Sequence, residues 1–273
     1  SSDIWKVKMP LALLYTMHDP KYNWKYYSEP EPHLNNRRLF CPRGKMIGGC
    51  SAHNGMVFVR GNRNDYERWE NFGLKSWSYE KVLPYFKKIE TWSGGENQYR
   101  GSLGPLPVNQ SKNDNPLFKA FINSASEAGH TVNPDMNGEE QEGFGMFDTT
   151  IHEGQRASAT KYYLNPAKKR KNLNIFSNSF VEKIIFEGKK AIGIEVKIKN
   201  KVEKVYAEKE VILSGGSINS PQLLMLSGVG NSDHLREKGI DVVSDIKGVG
   251  KNLQDHLETY IMQECKTPDT LYT

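Results

Sequence analysis

A strand, a glycine turn and a helix start follow one another in residues 210–228, and this succession is the strongest constraint on the fold. Glu210–Leu213 is an apolar run without alternation, typical of a strand buried on both faces. It ends in Ser214-Gly215-Gly216, and Ser220 and Pro221 then suit the N-cap and first position of a helix that Gly228 stops. Such a unit directs free backbone N–H groups at one spot and suits a nucleotide, although a plain structural turn is the alternative. We therefore predict an α/β protein.

Hydrophobic periodicity predicts further elements around this unit. Phe180–Phe186, Ala191–Ile198 and Val202–Ala207 alternate and are predicted to form a β-meander, and Glu258–Cys265 is predicted to be a strand. Helices are predicted at Arg63–Trp69, at Tyr79–Glu90 after Ser78, from Asn115-Pro116 to Ala128, and at residues 157–171. Residues 1–42 are predicted to be irregular, and the fold class is a mixture of α/β and antiparallel β structure.

Composition excludes several classes of protein. Charged residues make up 25% and hydrophobic residues 37% of the 273 residues, which is typical of a globular chain, and no apolar run is long enough to span a membrane. The net charge of +5 is dispersed, and its one dense block, residues 168–171, is interpreted as a solvated helix end rather than a nucleic-acid site. The three cysteines form no CxxC pair, which disfavours a disulfide framework or a metal site. We expect a cytoplasmic protein, with peripheral contact at an inner membrane left open.

A second glycine-rich segment precedes a short strand-like run. Gly48 and Gly49 are followed by Cys50, Ser51 and Ala52, then by the polar pair His53-Asn54 and by Gly55-Met56. Adjacent glycines let backbone approach a flat ligand or a phosphate closely. Taken alone, however, a double glycine indicates only a turn, and a histidine such as His53 is more often structural.

A third segment concentrates polar side chains near the C-terminal end. Asn252, Gln254, Asp255 and His256 lie within Gly250–His256. This group either caps a helix or forms a hydrogen-bonding set around a cofactor, and residue types alone leave both interpretations open.

Together the three segments resemble the glucose–methanol–choline family of flavin oxidoreductases. The sequences that carry the resemblance are RGKMIGGCSAHNGMVFVRG, GSINSPQLLMLSGVG and GVGKNLQDH, in family order. The intervening stretches YNWKYYSEPEPHLNNRR and DMNGEEQEGFGMFDTTIHEGQRAS resemble the choline-oxidising members, so the likeness covers nearly the whole chain. It implies a doubly wound FAD-binding domain (1–61 and 172–258) interleaved with a substrate domain on an antiparallel sheet (62–171 and 259–273).

The resemblance also implies chemistry and site residues. It implies hydride transfer from an alcohol, choline in the first place, to flavin N5, giving betaine aldehyde for glycine betaine synthesis. The electron acceptor would be a quinone chain or O2, and an oxidase, a non-redox lyase and an inactive binding protein are alternatives. The residues implied to bind FAD are Gly48, Gly49, Cys50, Ser51, His53, Asn54, Gly55, Met56, Val181, Ser214, Gly215, Gly216, Asn252, Asp255 and His256.

Two family features are absent from the sequence. The opening GxGxxG unit that holds the flavin diphosphate would precede Ser1, and the catalytic histidine would follow Thr273. We therefore expect a chain that is incomplete at both ends, that contains no catalytic residue and that is inactive alone.

His53 departs from the pattern that is usual in the choline-oxidising members of the family. An apolar residue usually stands there, whereas GGCSAHN resembles the GGCSSHN segment of choline-oxidising oxidases, whose histidine is covalently bonded to the flavin 8α carbon. The resemblance implies covalent FAD attachment at His53, with a histidine that merely packs on the flavin ring as the alternative.

Overall fold

The protein forms two compact units. The computed structural model describes residues 4–111, 115–264 and 266. The first unit extends to Leu173, and the second comprises Asn174–Glu264. The predicted mixed α/β class is confirmed, and the functional partition into 1–61 with 172–258 and 62–171 with 259–273 stays a prediction. No helix in the described part of the chain is long and apolar enough to cross a bilayer.

The helices of the first unit agree with most of the predicted ones. They are α1 (Trp5–Lys8), α2 (Leu13–Met17), α3 (Arg63–Asn71), α4 (Tyr79–Ile89), α5 (Pro116–Glu127) and α6 (Asn165–Ala167), with 3₁₀ turns at Pro10–Ala12, Pro32–Leu34, Gly49–Ala52 and Lys75–Trp77. Asn62 caps α3 by accepting from Asn64 N, and Asn115 caps α5 by accepting from Leu117 N. Ser78 is the N-cap residue of α4, but its side chain makes no capping hydrogen bond.

Two predictions for the first unit need correction. Residues 4–17 are not irregular but contain α1 and α2. The helix predicted at 157–171 is present but shorter and irregular, since residues 159–167 are helical and include a π-helical turn, Thr160–Leu164, that continues into the short α6. The residues before it belong to strand pairing, since Gln155–Arg156 is a strand and Ala157 N donates to Thr150 O. Within the helical segment, Pro166 has no N–H to donate to the preceding turn. The predicted basic helix end is confirmed, since residues 168–171 follow α6 and are exposed.

The strands of the first unit are short. They are β1 (Tyr26–Tyr27), β2 (Phe40–Cys41), β3 (Val57–Phe58), β4 (Glu90–Trp92), β5 (Leu106–Gln110), β6 (Asp148–Thr149), β7 (Ile151–His152) and β8 (Gln155–Arg156). A four-stranded sheet has the order β3-β6-β5-β4, in which only the β4–β5 pair is parallel. Antiparallel pairs β1–β2 and β7–β8 complete the unit.

A buried charge network joins the edges of this sheet. Arg100 and Glu90 are both 0% exposed. Arg100 Nε lies 3.0 Å from Glu90 Oε1, and its Nη2 lies 2.7 Å from Asp148 Oδ2. Arg60 Nη2 lies 2.6 Å from the same Glu90 oxygen, which also accepts from Gly101 N. Each charge therefore has an opposite charge in direct contact, which compensates the cost of burial.

The same network fixes the loops around the sheet. Arg100 Nη1 lies 2.5 Å from Asp135 Oδ1, and the Arg100 guanidinium stacks 4.1 Å from the centre of the Trp92 ring. Asn137 Nδ2 donates to Asp148 Oδ2 and to Phe58 O. Strands β3, β4 and β6 are thus connected through side chains as well as through backbone pairing.

The second unit is built on the predicted β-meander. Strands β9 (Ser179–Glu187), β10 (Lys190–Ile198) and β11 (Lys201–Tyr206) form an antiparallel sheet in the order β11-β10-β9. Helix α7 (Gly216–Leu226) packs on β9, and Ser227 Oγ accepts from the buried Ile184 N at 2.8 Å. Strand β12 (Val229–Gly230), α8 (Ser232–Glu237) and β13 (Ser244–Asp245) follow, with β12 and β13 parallel.

Two strands predicted for the second unit are wrong. Glu210–Leu213 forms no strand, because no described segment pairs with its backbone, and Ile212 is 74% exposed. The predicted strand at Glu258–Cys265 is absent over its described residues 258–264 for the same reason, and Cys265 lies outside the described residues. Apolar composition gives a strand only where a neighbour accepts its hydrogen bonds.

The helix after the glycine turn begins earlier than predicted. Gly215 is the N-cap of α7, and Gly216 has a φ of +88°, which glycine adopts without strain. Ser220 and Pro221 therefore lie inside α7, where Ser220 Oγ accepts from Gly215 N at 3.0 Å. The predicted end is confirmed, because Gly228 follows α7 with a φ of +89°.

We predict that Arg100→Met lowers the free energy of unfolding by about 3–5 kcal/mol, because it leaves the buried Asp148 without its counter-charge and Glu90 with Arg60 alone. The matched control is Arg68→Met, which breaks the exposed Arg68–Asp65 pair and should cost at most about 1 kcal/mol. Urea unfolding followed by tryptophan fluorescence measures both. Equal losses for the two variants would contradict a stabilising role for the network.

Candidate functional site

The segment Gly44–Met56 is folded around its glycines. A Cβ on Gly44 would lie 2.3 Å from Gly49 O, so the backbone at these two positions is in close contact. Gly48 and Gly49 have φ values of +96° and +54°, and a 3₁₀ turn then covers Gly49–Ala52. The N–H groups of His53 and Asn54 both donate to Cys50 O. The double glycine therefore produces a tight backbone reversal.

This segment is attached to the residues that begin the π-helical turn. Ser51 Oγ donates to Gly48 O at 2.6 Å and accepts from Ala159 N at 3.0 Å. A Cβ on Gly48 would lie 2.5 Å from Thr160 Oγ1. Thr160 Oγ1 is itself buried and makes no hydrogen bond with any described residue. A residue with a side chain at position 48 would collide with Thr160, so the close approach of this backbone to Thr160 requires glycine.

His53 is buried with an unsatisfied ring nitrogen. Its residue is 3% exposed, and Nδ1 has no hydrogen-bond partner in the described chain. Burial, followed by the nearby charges of Arg156 and Arg43, lowers the pKa of His53 below its ordinary 6.5. The imidazole is therefore neutral at pH 7, which is the form that acts as a hydrogen-bond acceptor or a nucleophile.

Asn54 is held by Arg156. Arg156 Nη1 donates to Asn54 O at 2.7 Å and to Asn54 Oδ1 at 2.8 Å, and Arg156 Nε donates to Val7 O at 3.0 Å. Asn54 Oδ1 also accepts from Met56 N. One buried guanidinium thus fixes the main chain and the side chain of the same residue.

Met56 has a strained backbone that its neighbours maintain. Its φ is +61°, a left-handed conformation that is rare for a residue with a side chain, and it is 5% exposed. Met56 O accepts from Thr150 N at 2.8 Å and from Thr150 Oγ1 at 3.2 Å. Strain of this kind concentrates at ligand sites, where surrounding contacts determine the geometry.

The residues of the first unit fit a polar, flat ligand. Three buried polar atoms around Gly48–Met56 make no hydrogen bond with described residues: His53 Nδ1, Thr160 Oγ1 and Arg156 Nη2. Nothing lies within 4 Å of a Cβ built on Gly49 or Gly55, so backbone is open there. Unsatisfied buried groups beside open backbone are what a flavin ring with several acceptors and donors requires. Within the described ranges, no three His, Cys, Asp or Glu side chains cluster as metal ligands.

The second unit contains the other predicted site residues. Val181 lies in β9 opposite Val196, and Gly216 begins the helix that packs on β9. Ser214, Gly215 and Gly216 are exposed. Asn252, Asp255 and His256 lie exposed in a segment without helix or strand, and the contact among them is His256 N donating to Asp255 Oδ1 at 3.1 Å. The helix cap considered as an alternative for this segment is therefore absent.

Sequence reasoning missed Arg156 and Thr160. Both lie about a hundred residues after the glycine segment, and no short-range pattern connects them to it. The available signal was the sequence GQRASAT directly after a strand-like run, in which an arginine among small residues is unusual for a solvated surface.

Comparison with known proteins identifies the family. A family model for "GMC oxidoreductase" matches residues 12–258. The chain belongs to the GMC oxidoreductase family. The resemblance that the three glycine-containing segments indicated is confirmed.

Curated relatives are similar over almost the whole chain. An "Oxygen-dependent choline dehydrogenase" of Brucella ovis is 51% identical over 267 residues, which cover 98% of this chain and 48% of the relative. The human "Choline dehydrogenase, mitochondrial" is 49% identical, over 98% of this chain and 45% of the relative. This GMC oxidoreductase chain therefore spans about half the length of the curated relatives it matches.

Solved structures of flavin-family proteins have a similar fold. Pyridoxine 4-oxidase from Mesorbium loti has a TM-score of 0.83 at 29% identity, covering 89% of this chain and 48% of that one. An FAD-dependent oxidoreductase from Chaetomium thermophilum has a TM-score of 0.84 at 31% identity, covering 93% and 46%. The expected fold, a mixed α/β flavoprotein type, is confirmed.

We predict that Gly48→Ala and Gly49→Ala differ in stability. Both place a side chain in a left-handed conformation, which costs about 1–2 kcal/mol. Gly48→Ala also forces its methyl group against Thr160, which adds about 1–3 kcal/mol, whereas Gly49→Ala meets nothing. Thermal unfolding compares the two variants. Equal melting temperatures would mean that Gly48 is not in close contact with Thr160.

Proposed function

We propose that this chain is part of an FAD-dependent enzyme that oxidises choline to betaine aldehyde. The observation that supports this most is the 51% identity to choline dehydrogenase over 98% of the chain. FAD is supported by family membership and by the FAD-dependent neighbour among solved structures. When bound, the flavin supplies a two-electron acceptor for the hydride of the alcohol carbon, and the protein orients and polarises both partners.

Most of the proposed FAD contacts come from two glycine-rich segments, Gly48–Met56 and Ser214–Gly216. We propose that Gly48–Met56 lies along the isoalloxazine ring, with Asn54, Gly55 and Met56 near its N5 edge. Val181 and Ser214–Gly216 are proposed to meet the adenosine part through backbone groups. Asn252, Asp255 and His256 are proposed to brace the pocket, or alternatively to be structural. For Gly48–Met56, the support is the open backbone at Gly49 and Gly55 and the unsatisfied polar atoms beside it.

The protein's own contribution is orientation and exclusion of water. The strained Met56 and the doubly bonded Asn54 present a fixed backbone edge to a ligand, so less ordering is required on binding. The side chains of His53 and Met56 are buried and so are shielded from water. We assign no catalytic base within this chain.

The acceptor of the electrons has two candidates. The Brucella relatives are named oxygen-dependent, which favours O2, and the GGCSAHN segment favours the same acceptor. A quinone chain is the other candidate. A cytoplasmic location, or peripheral contact with an inner membrane, stays a prediction.

The function is tested with the whole protein that contains this chain, loaded with FAD. We expect choline to bleach the flavin absorbance anaerobically, whereas ethyltrimethylammonium, which lacks the hydroxyl group, should not. Readmitting air then distinguishes the acceptors, because an oxidase releases hydrogen peroxide in proportion to the choline consumed. A flavin that choline fails to bleach contradicts the proposal.

His53 is proposed to carry the FAD covalently. Its support is a neutral, buried imidazole with an unpaired Nδ1 in the segment GGCSAHN. Packing on the flavin ring is the alternative.

Acid precipitation of the FAD-loaded protein should leave yellow, fluorescent flavin on the pellet. His53→Ala should release all of it into the supernatant, and the matched control His130→Ala, at an exposed histidine, should release none. Complete release from the unmodified protein would show that the flavin is not covalent.

A further inference from the structure

Arg156 is a buried cation without a counter-ion. It is 2% exposed, and its hydrogen-bond partners in the described chain are Val7 O, Asn54 O and Asn54 Oδ1, all neutral oxygens. No carboxylate among the described residues pairs with it. The other two deeply buried arginines, Arg60 and Arg100, each contact Glu90 directly. Arg156 is therefore buried without the compensation that the same unit gives to comparable side chains.

An uncompensated buried charge is costly unless something else stabilises it. Burial lowers the pKa of Arg156 to about 10, which still leaves the guanidinium protonated at neutral pH. Its Nη2 is buried and donates to no described residue. The group therefore retains both a full positive charge and a free donor in the interior, which is typical of a site whose partner is a ligand.

The charge lies beside the segment proposed to face the flavin. Arg156 bonds both oxygens of Asn54, and its charge contributes to the lowered pKa of the adjacent His53. Moving the guanidinium would release the Asn54 main chain and, through Asn54 Oδ1, the Met56 N–H. The Arg156 guanidinium is thus connected by hydrogen bonds to Asn54 and, through it, to Met56.

We propose that Arg156 is a positioning residue that fixes Asn54 against the flavin ring and holds a positive charge beside it, so that the bound flavin is easier to reduce. This inference rests on the proposed FAD function. A hydride brings two electrons and one proton, so its transfer adds one negative charge to the ring. A fixed cation in a water-poor site stabilises that added charge without reorganising.

A purely structural clamp between Val7 and Asn54 is the competing explanation. Such a clamp would change stability but not the reduction potential of the flavin. The potential is therefore the measurement that separates the two roles, and it needs no turnover.

The experiment measures the flavin midpoint potential in the whole FAD-loaded protein by dye equilibration. Arg156→Met should lower the equilibrium constant for two-electron reduction by about tenfold or more, which is a shift of about 30 mV to lower potential. The matched control is Arg60→Met, which removes another buried arginine, one with Glu90 as counter-ion. It should lower the unfolding temperature and leave the potential unchanged.

Arg156→Lys provides a second readout if the methionine variant fails to fold. A lysine ammonium keeps the positive charge but lacks the planar, spaced donors of the guanidinium that hold Asn54 and Val7, so we expect a smaller shift in the same direction, about threefold in the equilibrium constant. Potentials equal to that of the unmodified protein in every folded Arg156 variant would overturn the proposal and leave Arg156 as a clamp. Absence of flavin from the unmodified protein would instead contradict the proposed function, and this inference with it.

Discussion

The ion pair between Arg100 and Glu90 is the interaction on which the first unit depends. Both side chains are fully buried, and Arg60 and Asp148 extend the pair into a network that reaches β3, β4 and β6. The strands of this sheet are only two to five residues long, so backbone pairing alone provides few hydrogen bonds. Alternating charges connected by hydrogen bonds supply the long-range connections that short strands lack.

The network and the glycine segment meet through strand β3. Phe58 O accepts from Asn137, and Arg60 N donates to Asn137 Oδ1 at 2.7 Å, which fixes the chain just after Met56. Thr150 holds Met56 itself from the neighbouring strand region. The strained edge proposed to face the flavin is therefore anchored at its C-terminal end by the sheet and at Asn54 by Arg156.

Local patterns predicted local structure well. Asn115 caps α5 at the predicted helix start, and alternating residues predicted the meander of the second unit. Ser78 precedes α4 as predicted, but its side chain makes no capping hydrogen bond. Glu210–Leu213 failed because a strand depends on a neighbour that its own residues do not specify. Three family segments predict a site at Gly48–Met56, and this site stays a prediction. The contacts of Arg156 and Thr160 with this segment join residues far apart in sequence, and periodicity carries no information about such contacts.

The contact between Arg156 and Val7 has a consequence for biosynthesis. The two residues are separated by 149 positions, so the ribosome delivers Val7 and Asn54 long before the guanidinium that joins them. During that interval Asn54, which follows the double-glycine turn, lacks its hydrogen bonds from Arg156. Closing so long a loop costs only slightly more entropy than closing a shorter one, so late delivery carries little thermodynamic penalty. Val7, although remote in the primary structure, thus supports the residues that are proposed to face the flavin.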